Sequence, residues 1–257
     1  MNEGLITQEN IIIKERYILE TSFWGTARVN DISSVLNSVI EEFDRLIEDT
    51  STRPLVIFNS EKNQNSIDYP LFQIGPDFNF IFLHVKDTYW CKYAYQFAHE
   101  YCHHIIESNF KSKNTRFGWF EESICELASI FILKKMAESW KIKPPYPNWK
   151  DYSAALSDYA DEILNRKSNS IDEYLGSWIN QNLSTLYENC ENREINCAIA
   201  TNLYDTFQAE HELWGLIPFL AKIKVHNEMT WKEYLETWED ILPSSKTKLF
   251  ELLKSKL

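Results

Sequence analysis

His99-Glu100-Tyr101-Cys102-His103 sets two imidazoles four residues apart, with a carboxylate directly after the first, in an apolar stretch free of Gly and Pro. On a helix such positions share a face, so both rings could offer a nitrogen to a single Zn²⁺. Glu100 would then face the open side of the ion, where a carboxylate can serve as general base for an attacking water. A catalytic zinc takes three protein ligands and keeps a fourth position open, so one more donor is required.

A second apolar run begins just after Gly118, and Trp119-Phe120-Glu121-Glu122-Ser123-Ile124-Cys125-Glu126-Leu127-Ala128 offers Glu121 and Glu122 near its start. Glu122 has Glu126 one turn later on its own face, placed to accept the N–H of His99 or His103, whereas Glu121 has Cys125 there. The expected metal ligands are therefore His99, His103 and Glu122, with Glu126 behind them and Glu100 as base. The plainer reading is an ordinary charged helix face, and the fitting intervals of Glu122 and Glu126 weigh against it. His104 points about 100° away from His103 on the helix and is left out of the site.

The elements that must carry these groups are legible in outline. The run from Lys92 to Ile106 predicts a helix over about residues 88–108. Before it, residues 10–19 alternate and are β-branched, predicting a strand; Asp31 is expected to cap a helix carrying Val35, Leu36, Val39, Ile40, Phe43 and Ile47; and Pro54-Leu55-Val56-Ile57-Phe58 reads as a short buried strand. Residues 59–65 are polar and turn-like, and residues 77–85 read as a further strand, for which the plainer expectation is that Phe78, Phe80 and Phe82 merely pack against the motif helix, although alternate residues face opposite ways. Beyond the motif, helices are expected over about 118–141, 151–166, 171–188, 195–225, 230–240 and 244–256, with Lys143-Pro144-Pro145-Tyr146-Pro147-Asn148 as a linker. The expected fold class is α+β, a small α+β lobe over 1–142 and a helical lobe over 143–257, with the metal between them.

Composition sets outer limits. At 257 residues and 44% hydrophobic content the chain can bury a sizeable core. No apolar run reaches the length of a membrane span. The five cysteines give an odd count without a C-x-x-C pair, which argues against a disulfide framework. The first residues, Met1 to Gln8, lack a basic region followed by an apolar one, so a cytoplasmic location is expected. A net charge of −12 speaks against nucleic acid or an anionic membrane as main partner and favours a neutral or basic peptide.

The residue pattern resembles the gluzincins, metallopeptidases with H-E-x-x-H and a ligand Glu. Eighteen residues separate His103 from Glu122, the interval of the aminopeptidase N-like branch, and Trp119-Phe120-Glu121-Glu122-Ser123 is similar to its W-L-N-E-G. Glu126 stands where the thermolysin-like branch has an Asp that supports a His. Ala98-His99-Glu100-Tyr101-Cys102-His103-His104 and Glu122-Ser123-Ile124-Cys125 also resemble the A-H-E-x-x-H and E-x-x-A patterns of ImmA/IrrE-type peptidases. The resemblance covers roughly residues 75–135. It implies a zincin-like fold, a zinc peptidase acting on a peptide or protein substrate, and a substrate-binding edge strand formed by residues 77–85. The G-x-M-E-N segment that holds a free amino terminus is absent upstream, so an endopeptidase is expected. In this clan a Tyr or His from the helical lobe also stabilises the oxyanion. His211, set between Glu210 and Glu212, is the first candidate and Tyr204 the alternative, with Tyr146, Tyr152 and Tyr159 left open. A scaffold of this kind can also serve as a catalytically silent sensor or interaction module.

Overall fold

A computed structural model of the chain describes residues 11–48, 53–63, 67–107 and 116–257. Asn10 and the residues before it, and residues 108–115 between the two motif helices, lie outside the described residues. The chain is α+β and mainly helical, with one five-stranded mixed sheet in the order β1-β2-β3-β5-β4. The strands are β1 (Ile11–Ile13), β2 (Tyr17–Glu20), β3 (Leu55–Asn59), β4 (Leu71–Ile74) and β5 (Asn79–Leu83). β2, β3 and β5 run parallel, while β1 and β4 pair antiparallel on the two edges. The single strand expected over 10–19 is a hairpin, because Lys14, Glu15 and Arg16 turn the chain between two short runs.

β2 and β3 are parallel, so the chain must cross over between them, and α1 (Val29–Leu46) makes that crossing. Its buried Ile32, Val35, Leu36, Val39, Ile40 and Phe43 recur at three and four residues and form one apolar stripe against the core. Asp31 sits in its first turn rather than at the cap, which is Arg28. Next come α2 (Trp90–Glu107) and α3 (Gly118–Ile142), then α4 (Tyr152–Leu164), α5 (Leu175–Glu188), α6 (Arg193–Ala209), a 3₁₀ stretch at His211–Lys222, α7 (Trp231–Ile241) and α8 (Thr247–Lys254). The helix expected over 195–225 breaks at Ala209. Pro218 cannot donate to a helical ladder, and the chain between His211 and Lys222 winds into the tighter 3₁₀ form.

α3 is buried around its circumference, from Trp119 and Phe120 to Met136 and Trp140, as a central helix must be. It packs on α2, α4 and α6, so the boundary at 142/143 falls at the end of a helix that both halves share. One continuous set of buried residues runs from Tyr17 to Leu257.

The sheet alternates as its pleat demands. Leu55, Ile57, Ile81 and Leu83 face the helices, while Val56, Phe58 and Phe82 form a smaller cluster on the other face, joined by Phe78 and Phe80. The phenylalanines expected to pack on the motif helix thus lie across the sheet from it. β5 is also an inner strand, not an edge, because β4 covers it. β4 is a four-residue strand between Pro70 and Gly75, in a stretch for which the sequence predicted no strand. Its turn closes through Gly75 N–H to the Phe78 carbonyl at 2.9 Å. A Cβ at Gly75 would come within 2.4 Å of the Phe80 ring and 2.6 Å of that carbonyl, so only glycine fits. Among the described residues, no helix is long and apolar enough to cross a membrane.

Candidate metal centre

α2 and α3 pack side by side, and Ser129 Oγ on α3 donates to the Tyr95 carbonyl on α2 at 3.0 Å. This contact brings the first turns of α3 against the middle of α2, where His99 and His103 occupy adjacent turns of one face. The start of α3 is held independently. Arg116 lies 4.2 Å over the Tyr187 ring and donates from Nε to the Met229 carbonyl at 2.8 Å.

His99 Nε2 lies 3.2 Å from Glu122 Oε2, and His103 Nε2 lies 3.4 Å from Glu122 Oε1. Ligand atoms of His99, His103 and Glu122 all fall within 4.8 Å of one another, and the three could hold a metal ion. Tetrahedral ligands about 2.1 Å from a common ion stand about 3.4 Å apart, close to these two separations. Both imidazoles turn Nε2 inward and Nδ1 outward. His103 Nδ1 meets Glu121 Oε1 at 2.7 Å, and His99 Nδ1 faces Glu126 Oε1 at 3.9 Å. The Glu121 carboxylate behind His103 fixes the tautomer and the ring direction that ligation requires, while Glu126 lies behind His99 at a distance longer than a hydrogen bond. The ring of Phe72 on β4 stacks on His103 at 6.3 Å and meets the edge of His104 at 6.1 Å, which closes the third side. His104, expected outside the site, is buried against Asn79 Nδ2 at 3.0 Å.

Charge is concentrated here. Burial works against a charged His103, yet the Glu122 charge and the hydrogen bonds from Glu121 and Glu122 hold its pKa well above the ordinary value. Burial also disfavours a charged His99, but the Glu122 hydrogen bond and the neighbouring carboxylates raise its pKa. Burial would raise Glu122 as well, and the two imidazoles overcome it and draw its carboxyl well below the usual range. Glu100 goes the other way: it is buried, and desolvation raises its pKa against the pull of His99 and His103. A carboxylate raised in this way is the better proton acceptor near neutral pH.

A cleft of about 350 Å³ opens over these groups, with Glu100, the three candidate ligands, Glu121 and Glu126 in its lining. One wall is Tyr69, Pro70, Leu71 and Phe72, leading into β4; the other is Cys190, Glu191, Arg193 and Asn196, leading into α6. Glu126 is buried, accepts a hydrogen bond from the Tyr95 hydroxyl, and faces Arg193 Nε at 3.3 Å. Tyr95, His99 and His103 follow at four-residue steps on α2, so the part Tyr95 plays had a sequence signal. Glu121 behind His103 had only its place at the head of α3, and Arg193 had none.

The structure does not bring His211 or Tyr204 to this cleft. Both pack around Phe131, at 5.3 and 6.2 Å between rings, and His211 is exposed. Phe131 lies nine residues beyond Glu122 on α3, about 13 Å along the helix axis. Tyr146 lines a separate, more open hollow at the start of α1 with Arg28, Asp31 and Trp149. The Tyr152 hydroxyl accepts from Cys91 N–H, and Tyr159 meets the Tyr95 ring edge-on at 5.8 Å. No family model matches the chain, and neither a curated protein nor a solved structure matches it.

Proposed function

We propose that this chain is a zinc-dependent peptidase with a zincin-like α+β fold, cleaving internal bonds of a peptide or protein substrate in the cytoplasm. The observation that carries this reading is the convergence of His99, His103 and Glu122 in one cleft with the buried carboxyl of Glu100. The donor set suits Zn²⁺, since two imidazoles, each facing an outer carboxylate, and the Glu122 carboxylate match a three-ligand catalytic site. Zn²⁺ held there would supply a Lewis acid that polarises a peptide carbonyl and acidifies water. Glu100 takes the proton from the attacking water and returns it to the leaving amine. Burial keeps Glu100 basic enough for the first task and desolvated enough for the second. Glu121 and Glu126 hold the imidazoles without touching substrate.

A second reading, a silent sensor or interaction module on the same scaffold, draws support from the distance between the cleft and both His211 and Tyr204. Metal analysis of the purified protein, joined to cleavage of an unbiased peptide library by the wild type and by Glu100→Gln, separates the two readings. A peptidase gives one zinc per chain and cleavage that Glu100→Gln abolishes with zinc retained. Protein without zinc at near-neutral pH sinks the peptidase reading, and zinc without cleavage favours the silent module.

A further inference from the structure

The proposed chemistry leaves one task without a residue, because a carbonyl oxygen that gains negative charge needs a donor, and neither expected group reaches the cleft. Among the described residues, Arg193 is the one Lys or Arg that lines it. Its side chain is 68% exposed, so it stands at the cleft surface and not inside the core. Two contacts fix its direction. Nε points to Glu126 Oε1 at 3.3 Å, and the guanidinium carbon lies 5.8 Å over the Tyr95 ring. That same Glu126 oxygen faces His99 Nδ1, so one atom links the guanidinium to a candidate ligand. Beside its Nε contact with Glu126 and its hydrogen bond to Tyr95, the guanidinium, with five N–H donors in all, has further donors to offer the cleft, and it presents them as a planar fork suited to oxygen anions.

We propose that Arg193 is the anion-holding group of this cleft, donating to the substrate acyl oxygen as water adds to the acyl carbon, which becomes tetrahedral, and the C=O electron pair moves onto that oxygen. This rests on the zinc peptidase reading. Electrostatic stabilisation of this kind takes a preorganised donor, and the anchors on Glu126 and Tyr95 supply that rigidity. The position on α6 also explains how a residue about 70 positions beyond Glu122 in sequence joins the site: the first turn of α6 packs against α3 beside Glu126.

The competing view is that Arg193 only neutralises buried Glu126. The two are separated with Co²⁺-loaded protein, whose visible absorption reports ligands entering the cleft. The probes are phenylphosphonate, a tetrahedral anion, and acetohydroxamate, which engages a metal by its own chelating oxygens. Arg193→Met is expected to weaken phenylphosphonate binding on the order of tenfold to a hundredfold, the usual loss for a hydrogen bond to a charged group. Acetohydroxamate and Co²⁺ affinities should change less than about threefold, within the range of an exposed ion pair. Arg193→Lys, which keeps the charge and loses the fork, should recover part of the loss. Equal weakening of both probes, or unchanged phenylphosphonate binding with Co²⁺ in place, overturns the assignment and leaves Arg193 a structural partner of Glu126. Absence of Co²⁺ binding in the wild type would remove the metal reading itself and this inference with it.

Discussion

Replacing Glu121 by glutamine tests the internal logic of the centre, because Glu121 and Glu122 are neighbours and only one can be the ligand. Glu122 contacts both Nε2 atoms at 3.2 and 3.4 Å, whereas Glu121 reaches Nδ1 of His103 at 2.7 Å. A charge-assisted hydrogen bond of that length contributes about 1.5–3 kcal/mol, and the glutamine amide is a weaker acceptor for the imidazole N–H. Glu121→Gln should therefore lower Zn²⁺ affinity by about tenfold to a hundredfold, the common effect of losing an outer partner. Glu126 faces His99 at 3.9 Å, beyond hydrogen-bond reach, so Glu126→Gln should cost less, about fivefold or under. Glu122→Gln should cost most, because the ligand itself is lost. Competition against a chromophoric chelator at pH 7.5, with circular dichroism confirming the fold of each variant, gives the three affinities directly. The expected order of loss is Glu122, then Glu121, then Glu126. If Glu121→Gln abolished binding while Glu122→Gln left it nearly intact, the ligand assignment would be reversed and the geometric argument refuted.

Three further outcomes follow from the same structure. Glu100→Gln should hold zinc within a few-fold of wild type and lose cleavage by about a hundredfold to ten-thousandfold, measured on any peptide that the library screen yields; retained turnover would exclude Glu100 as base. Gly75→Ala should destabilise the chain by about 1–3 kcal/mol in urea unfolding, because the added methyl meets the Phe80 ring and the carbonyl that closes the turn; an unchanged midpoint would mean the β4 turn is not constrained as described. The Tyr17 phenol is buried and hydrogen-bonded to Ser33 and to Asn37 at 3.0 Å, and burial pushes its pKa up to about 12. The unfolded phenol ionises near 10, so this contribution is complete below pH 10 and is lost as pH rises toward 12, by about 2–3 kcal/mol. Tyr17→Phe should flatten the fall in urea midpoint over that interval; equal slopes for variant and wild type would contradict the assignment.

The His99, His103 and Glu122 cluster was legible because helices write their faces into sequence. The spacing of His99 and His103, and the four-residue step from Glu122 to Glu126, are local signals that survive without tertiary information. α1 and β3 were legible for the same reason, as apolar stripes with clear periods. What the sequence obscured was pairing. β4 is only four residues long, half exposed, and hidden among polar and turn residues, so nothing local distinguished it from a loop. Its presence turned β5 from an edge strand into an inner one and sent Phe78, Phe80 and Phe82 to the far face of the sheet. His211 between two glutamates carried a local signal, but it lies just past the far end of α6, and it is the first residue of that helix, Arg193, that packing sets at the cleft. Arg193 had the opposite character, silent in sequence and placed by packing alone.

The two imidazoles are held in unequal ways, and the difference bears on how the cleft can be tuned. His103 is gripped directly, by Glu121 from α3 at 2.7 Å and by the Phe72 ring from β4. His99 is held through a relay, since Glu126 is itself clamped by the Tyr95 hydroxyl from α2 and by Arg193 from α6. A carboxylate shared among three donors gives less negative charge to any one of them than a carboxylate with a single partner. His99 therefore senses the state of the α6 wall, and His103 does not. An anion held by the other guanidinium nitrogens while Nε stays on Glu126 leaves that relay in place, as the role proposed for Arg193 requires. The α6 wall and one imidazole thus face a single carboxylate oxygen, a juxtaposition that the packing of α6 against α3 creates.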